Sequence, residues 1–189
     1  DKWKDYEKPL KAGIPYILVA HDIYSLRSGR DDCEFERKQI GSAAAVIFTS
    51  EAHKDWLAER MELPPHEVIH SRPLARCLDF DPLPKLPRSI VYAGGLLQLS
   101  RKDSPFGYRC YHEEFKVLRA AGWDVHAYPA WVGSAVPEVI AEYSDIGVTV
   151  HEPVKQGALY RELSQYTVGL QAYSDGGAQG YPRTCMPNK

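Results

Sequence analysis

The chain has 189 residues and a net charge of −2, from 23 basic and 25 acidic side chains. This balance gives no electrostatic reason to expect nucleic acid or an anionic membrane as a partner. The longest apolar runs, residues 14–20 and 43–48, are far too short to span a bilayer. The four cysteines are widely spaced, without a CxxC pair. They favour reduced thiols in a cytoplasmic protein.

The first part of the chain alternates apolar runs with amphipathic stretches. Residues 14–20 and 44–49 predict buried strands, and residues 34–42 between them predict a helix. Ser50 is a typical N-cap for a second helix, which we expect to run to about residue 62, before Pro64 and Pro65. A third, short strand is predicted over residues 67–70.

A change of composition follows over residues 71–88, which contain four prolines. Proline removes a backbone donor and fixes φ, so this stretch is a poor helix and a poor central strand. It predicts a semi-rigid linker between two domains.

The strand–helix pattern restarts after the linker. Residues 89–93, 125–128, 148–150 and 167–172 predict strands, and residues 109–121, 137–143 and 158–165 predict helices. Gly122 stands where a C′ glycine ends a helix. Residues 173–189 predict a loop. Strands that alternate with helices predict an α/β fold of two Rossmann-like subdomains with parallel sheets.

His66, Glu67 and His70 match the zinc-protease motif HExxH, which requires a helix. The flanking prolines and the central Val68 and Ile69 favour a strand instead. On a strand, residues four apart are separated by roughly 13 Å, too far to share one ion. We therefore predict that the motif binds no zinc.

Glycines and cations stand together at the end of one predicted strand. Gly94 and Gly95 follow a strand directly, where a phosphate could approach the backbone; the alternative is an ordinary tight turn. Arg101 and Lys102, in the loop that follows, could hold a diphosphate, or could be solvated loop charges.

Two other segments have the residue types of a ligand site. His21 and Asp22 end the first strand and could act in acid–base chemistry or bind a sugar hydroxyl; the alternative is a histidine bonded to loop backbone. Residues 173–180 form a glycine-rich loop that could close over a ligand or could simply connect two segments.

Taken in chain order, the strands, helices and loops described above resemble those of glycosyltransferases of the GT-B fold, particularly the large bacterial family with a retaining mechanism. KAGIPYILVAHD is similar to the strand that ends in a histidine near the donor sugar, and SIVYAGG to the first strand and phosphate turn of the second domain. VTVHEPVKQGALYRELSQYTVGLQAY resembles the elements around the nucleotide base. PRTCMPNK resembles the beginning of the segment whose lysine contacts the diphosphate.

The resemblance implies transfer of a sugar from a nucleoside-diphosphate donor to an unknown acceptor, with no cofactor and no metal. It implies that His21 and Asp22 are catalytic. It places the donor on eight residues: Gly94, Gly95, Arg101, Lys102, Pro153, Val154, Asp175 and Lys189. Gly95 stands where the family has arginine, so Arg101 or Lys102 would substitute for it. Asp175 is the nearest counterpart of the family's carboxylate.

The resemblance also implies a domain organisation. Residues 1–80 correspond to the C-terminal part of the acceptor-side domain, 81–88 to the linker, and 89–189 to the N-terminal part of the donor domain. A partial chain of this kind is expected to form a homo-oligomer and to be inactive alone. Two other functions stay open, a catalytically inactive α/β binding module and a sugar-nucleotide epimerase of the same architecture.

Overall fold

A computed structural model describes residues 11–21, 23–28, 33–70, 75–104, 106–130 and 137–171. The described residues form two compact units, one reaching His70 and the other beginning at Ala75. Each unit has its own parallel sheet. The predicted α/β fold with two parallel Rossmann-like sheets is therefore confirmed.

The first unit contains a three-stranded sheet with the order β1-β2-β3, all parallel. Its buried side chains come from strand ends and from the inner faces of the helices. The strands are β1 (Ile17–Ala20), β2 (Ala45–Phe48) and β3 (His66–Val68), and the helices are α1 (Tyr24–Ser28), α2 (Glu34–Gly41) and α3 (Glu51–Ala58).

Helix α3 begins as predicted and ends earlier. The Ser50 side chain accepts the His53 N–H at 3.2 Å, which confirms the N-cap. The helix ends at Ala58, four residues before the predicted end. The N–H groups of Arg60 and Met61 both turn back to the Leu57 carbonyl, so the chain leaves the helix well before the prolines.

The second unit contains a four-stranded parallel sheet with the order β6-β5-β4-β7. One face packs a core that includes Phe115 and Tyr143, and the other packs Tyr128 and Tyr166 with Leu159 and Leu163. The strands are β4 (Leu86–Gly94), β5 (Asp124–Pro129), β6 (Thr149–Val150) and β7 (Tyr166–Leu170), and the helices are α4 (His112–Ala120), α5 (Pro137–Asp145) and α6 (Gln156–Leu163).

The described part of the proline-rich stretch packs on the second unit. The Leu83 N–H donates to the Ser164 hydroxyl at 2.9 Å, and Lys85 Nζ donates to the Tyr166 carbonyl at 2.8 Å. Strand β4 begins at Leu86, three residues before the predicted start. Pro87 fits in it because the pairing with β7 is irregular between Leu86 and Ile90.

Two helices of the second unit end in the same glycine motif. After α4, the Gly122 N–H bonds to the Arg119 carbonyl and the Trp123 N–H to the Leu118 carbonyl. This Schellman pattern requires the left-handed φ of +79° at Gly122. It confirms Gly122 as the predicted C′ residue. Gly147, with a φ of +81°, ends α5 in the same way.

Gly122→Ala should lower the free energy of unfolding by about 1–2 kcal/mol, because a left-handed backbone is strained for alanine. The added Cβ would also lie 3.0 Å from Arg88 Nη2. The control is Gly157→Ala in α6, where a Cβ meets no atom within 4 Å. That change should leave the stability equal or raise it by about 0.5–1 kcal/mol. Urea unfolding would measure both, and equal stability of the two variants would contradict the analysis.

Candidate functional site

The carboxyl ends of the four strands in the second unit lie at one edge of the sheet. The parallel register pairs Gly94 of β4 with Pro129 of β5, and Tyr92 of β4 with Leu170 of β7. β6 ends at the level of Ala127, so the segment that follows it reaches the same edge. The topology thus brings Gly94 and Gly95 to the edge at which Pro153 and Val154 follow β6.

The strand order changes direction between β4 and β7. Strands β4, β5 and β6 progress to one side of the sheet, and the chain then returns to place β7 on the other side of β4. Ligands of open α/β sheets bind outside the carboxyl ends of strands at such a switch point. A cavity of about 140 Å³ lies beside this junction, lined by residues that include Ala93, Gly169 and Gln171.

The glycine pair at the end of β4 is buried and bonded. The Ala130 N–H donates to the Gly94 carbonyl at 3.1 Å, and the Tyr92 hydroxyl donates to the Gly95 carbonyl at 3.0 Å. Neither glycine has a positive φ. Left-handed backbone therefore gives no reason for glycine at these two positions.

The loop after Gly95 carries both candidate cations. A 3₁₀ turn over Leu99–Arg101 leaves the Arg101 side chain exposed, and Lys102 is half-buried. The loop closes on itself where the Leu97 N–H donates to the Arg109 carbonyl at 3.2 Å. Burial raises the pKa of the Cys110 thiol, and the nearby Lys102 charge opposes that rise in part.

The remaining candidates are in the first unit or outside the described residues. His21 directly follows β1 and is exposed. Its backbone carbonyl accepts a hydrogen bond from the Thr49 hydroxyl at 3.5 Å. A cavity of about 250 Å³ beside it is lined by Tyr24, Phe35 and Gln39 among others. Three predicted site residues lie outside the described residues: Asp22, Asp175 and Lys189.

The HExxH segment has the predicted extended conformation. His66 and Glu67 belong to β3, and His70 follows it. Each imidazole Nδ1 contacts a backbone carbonyl, His66 that of Pro64 at 2.9 Å and His70 that of Thr49 at 3.3 Å. In the described part of the chain, His, Cys, Asp and Glu side chains form no group of three that could hold a metal ion.

A chain of polar side chains on the sheet of the second unit was not predicted. Asp124 Oδ2 lies 3.0 Å from His126 Nε2, and His126 Nδ1 lies 3.0 Å from His151 Nε2. The Tyr166 hydroxyl lies 3.1 Å from the same His151 nitrogen and 3.0 Å from the Tyr128 hydroxyl. We call these five residues the histidine–tyrosine network.

Ring packing holds the histidine–tyrosine network rigidly. The rings of Tyr128 and His151 are stacked, with centroids 4.3 Å apart and planes 9° from parallel. Burial and the neighbouring His126 lower the pKa of His151, and burial raises the pKa values of Tyr128 and Tyr166. His151 directly precedes the segment with Pro153 and Val154, so the network fixes the start of that segment.

Comparison with known proteins shows the fold. No protein-family model and no curated protein matches the chain. A solved structure of the pneumococcal O-GlcNAc transferase GtfA, in complex with UDP and GlcNAc, is similar to it with a TM-score of 0.51 and 15% sequence identity. The match covers 87% of this chain and 33% of GtfA. At this level of identity the similarity shows the fold alone, an α/β arrangement with parallel Rossmann-like sheets.

Among the residues that the structure describes, no helix combines the length and the hydropathy that crossing a bilayer requires.

We expect acid to destabilise the protein below about pH 6.5. Burial lowers the pKa values of His112 and His151, so the unfolded chain binds protons there before the folded chain does. The stability that these two histidines contribute is therefore present in full above the pKa of histidine in the unfolded chain. It decreases as the pH falls through that pKa. His151→Gln should lose less stability than the wild type between about pH 7 and about pH 5. Urea unfolding across this range would measure both, and parallel pH profiles would contradict the assignment of His151.

Proposed function

We propose that this chain contributes the donor-binding residues of a glycosyltransferase that uses a nucleoside-diphosphate sugar. The observation that carries the proposal is the position of Gly94 and Gly95. Gly94 ends β4 and Gly95 follows it, at the switch point between β4 and β7, where the sheet topology favours a ligand. The fold shared with an O-GlcNAc transferase solved in complex with UDP supports the same interpretation.

The proposed site is suited to a diphosphate. Arg101 is exposed in the loop beside the glycine pair, and Lys102 follows it. Cationic side chains stabilise the charge that develops on a leaving phosphate, so the transfer requires no metal ion and no cofactor. We propose that Lys189 adds a third cation and that Asp175 contacts the donor. Pro153 and Val154, after β6, would lie against the base.

The proposed transfer also requires groups near the sugar. His21, exposed at the carboxyl end of β1, and its neighbour Asp22 are the candidates for acid–base chemistry or for binding a sugar hydroxyl. The cytoplasmic location and the expected homo-oligomer stay predictions, and sedimentation would test the second of them.

A turnover assay separates the proposed function from its alternatives. The protein should be incubated with UDP- and GDP-sugars, with and without a mixture of candidate acceptors. Release of nucleoside diphosphate that depends on an acceptor would support a glycosyltransferase. Conversion of the sugar nucleotide without any acceptor would indicate an epimerase, and binding without conversion would indicate an inactive module or an incomplete enzyme. Absence of binding would contradict all three.

Replacing Arg101 and Lys102 together with alanine should weaken the binding of UDP or GDP at least about tenfold. Each lost hydrogen bond to a charged group costs about 1.5–3 kcal/mol. The control replaces Lys116 and Arg161, which are exposed cations on α4 and α6, with alanine, because that variant has the same net charge. Titration calorimetry would compare the variants. Equal affinities would place the diphosphate elsewhere.

A further inference from the structure

A buried histidine adjoins the proposed donor loop without belonging to it. His112 is the first residue of α4 and is 4% exposed. Its Nδ1 lies 3.3 Å from Cys110 Sγ, and its ring packs on the ring of Tyr143 with centroids 4.2 Å apart. Its Nε2 makes no regular hydrogen bond among the described residues, and Glu142 Oε2 lies 3.3 Å from it.

The protonation states of this group follow from its burial. Burial raises the pKa of the Cys110 thiol and lowers the pKa of His112, so both are uncharged at neutral pH. The uncharged imidazole lies beside the Glu142 carboxylate, with Nε2 3.3 Å from Oε2 and no regular hydrogen bond between them.

The Glu142 carboxylate in turn holds the loop that carries the candidate cations. Its Oε2 accepts the Leu99 N–H at 2.9 Å, at the first residue of the 3₁₀ turn that contains Arg101. The next residue of α5, Tyr143, donates its hydroxyl to the Leu97 carbonyl at 3.0 Å. Glu142 and Tyr143, which are successive residues of α5, thus hold the loop at Leu99 and at Leu97.

We propose that Glu142, which lies beside His112, is a positioning residue for the donor diphosphate. It fixes the turn over Leu99–Arg101 and so holds Arg101 and Lys102 at the carboxyl edge of the sheet. The inference rests on the proposed function, because it assumes that these two cations bind the diphosphate. In this proposal Glu142 acts on the backbone of the loop, because its Oε2 accepts the Leu99 N–H.

Three variants of α5 test this role. Glu142→Ala removes the acceptor of the Leu99 N–H, Glu142→Gln keeps an oxygen in its place, and Glu138→Ala removes an exposed carboxylate one turn earlier on the same helix. The affinities of each variant for UDP and GDP should be measured beside those for uridine and guanosine. We expect Glu142→Ala to bind the diphosphates about three- to tenfold more weakly, with unchanged nucleoside binding. The other two variants should stay within about twofold of the wild type.

Hydrogen exchange supplies a readout that needs no donor. In Glu142→Ala, a peptide covering residues 96–104 should exchange faster than in the wild type, while Glu142→Gln restores slow exchange. Normal nucleotide binding and unaltered exchange in Glu142→Ala would overturn this inference and leave the proposed function intact. An equal loss of nucleoside and diphosphate affinity would also overturn it, because it would indicate a general structural defect. Failure of the wild type to bind UDP or GDP would overturn the proposed function and this inference with it.

Discussion

The pairing of β4 with strands on both of its sides is the constraint on which the second unit depends. Residues Ser89 to Tyr92 are buried in succession, as expected for a strand covered on both faces. Because β5 and β7 both pair parallel to β4, every connection must return across a face of the sheet. This requirement places the helices and brings the loops after the strands to one edge. The proposed donor site is a consequence of that arrangement.

Apolar runs predicted the strands, and a local rule predicted that a helix ends before Gly122, but α1 was not predicted. The predicted burial of the first strand was wrong, because Ile17 and Val19 of β1 are exposed. The start of β4 could not be predicted in this way. Leu86 joins the sheet because it pairs with Tyr166, which is 80 positions away in the sequence. This long-range pairing overrides the tendency of the neighbouring proline to interrupt a strand. The end of α3 differed from prediction for a local reason, since Arg60 and Met61 turn back to the Leu57 carbonyl.

Residue patterns alone named candidates for the site within short segments, such as Gly94 and Gly95 at the end of one strand and Arg101 in the loop after it. The resemblance added the candidates that lie farther apart. The His112–Glu142 pair and the histidine–tyrosine network both join residues that lie far apart in the sequence. The first group includes the bond between Leu99 and Glu142, and the second extends from Asp124 to Tyr166. No local pattern encodes such pairs. Alternation along β5 was the one available signal, since residues 124, 126 and 128 share a face of the sheet.

The two polar groups lie on opposite faces of the same sheet. The His112–Glu142 pair belongs to the face packed by α4 and α5, and the histidine–tyrosine network belongs to the face packed by α6. Each ends at a segment of the carboxyl edge, the first at Leu99 and the second at His151. Buried polar groups are costly unless they are bonded, and bonded ones fix a single arrangement. The proposed site, which would bind a diphosphate and a base, requires two segments held in register. A buried polar group beneath each segment would supply that rigidity, because hydrogen bonds fix one arrangement more strictly than apolar packing does.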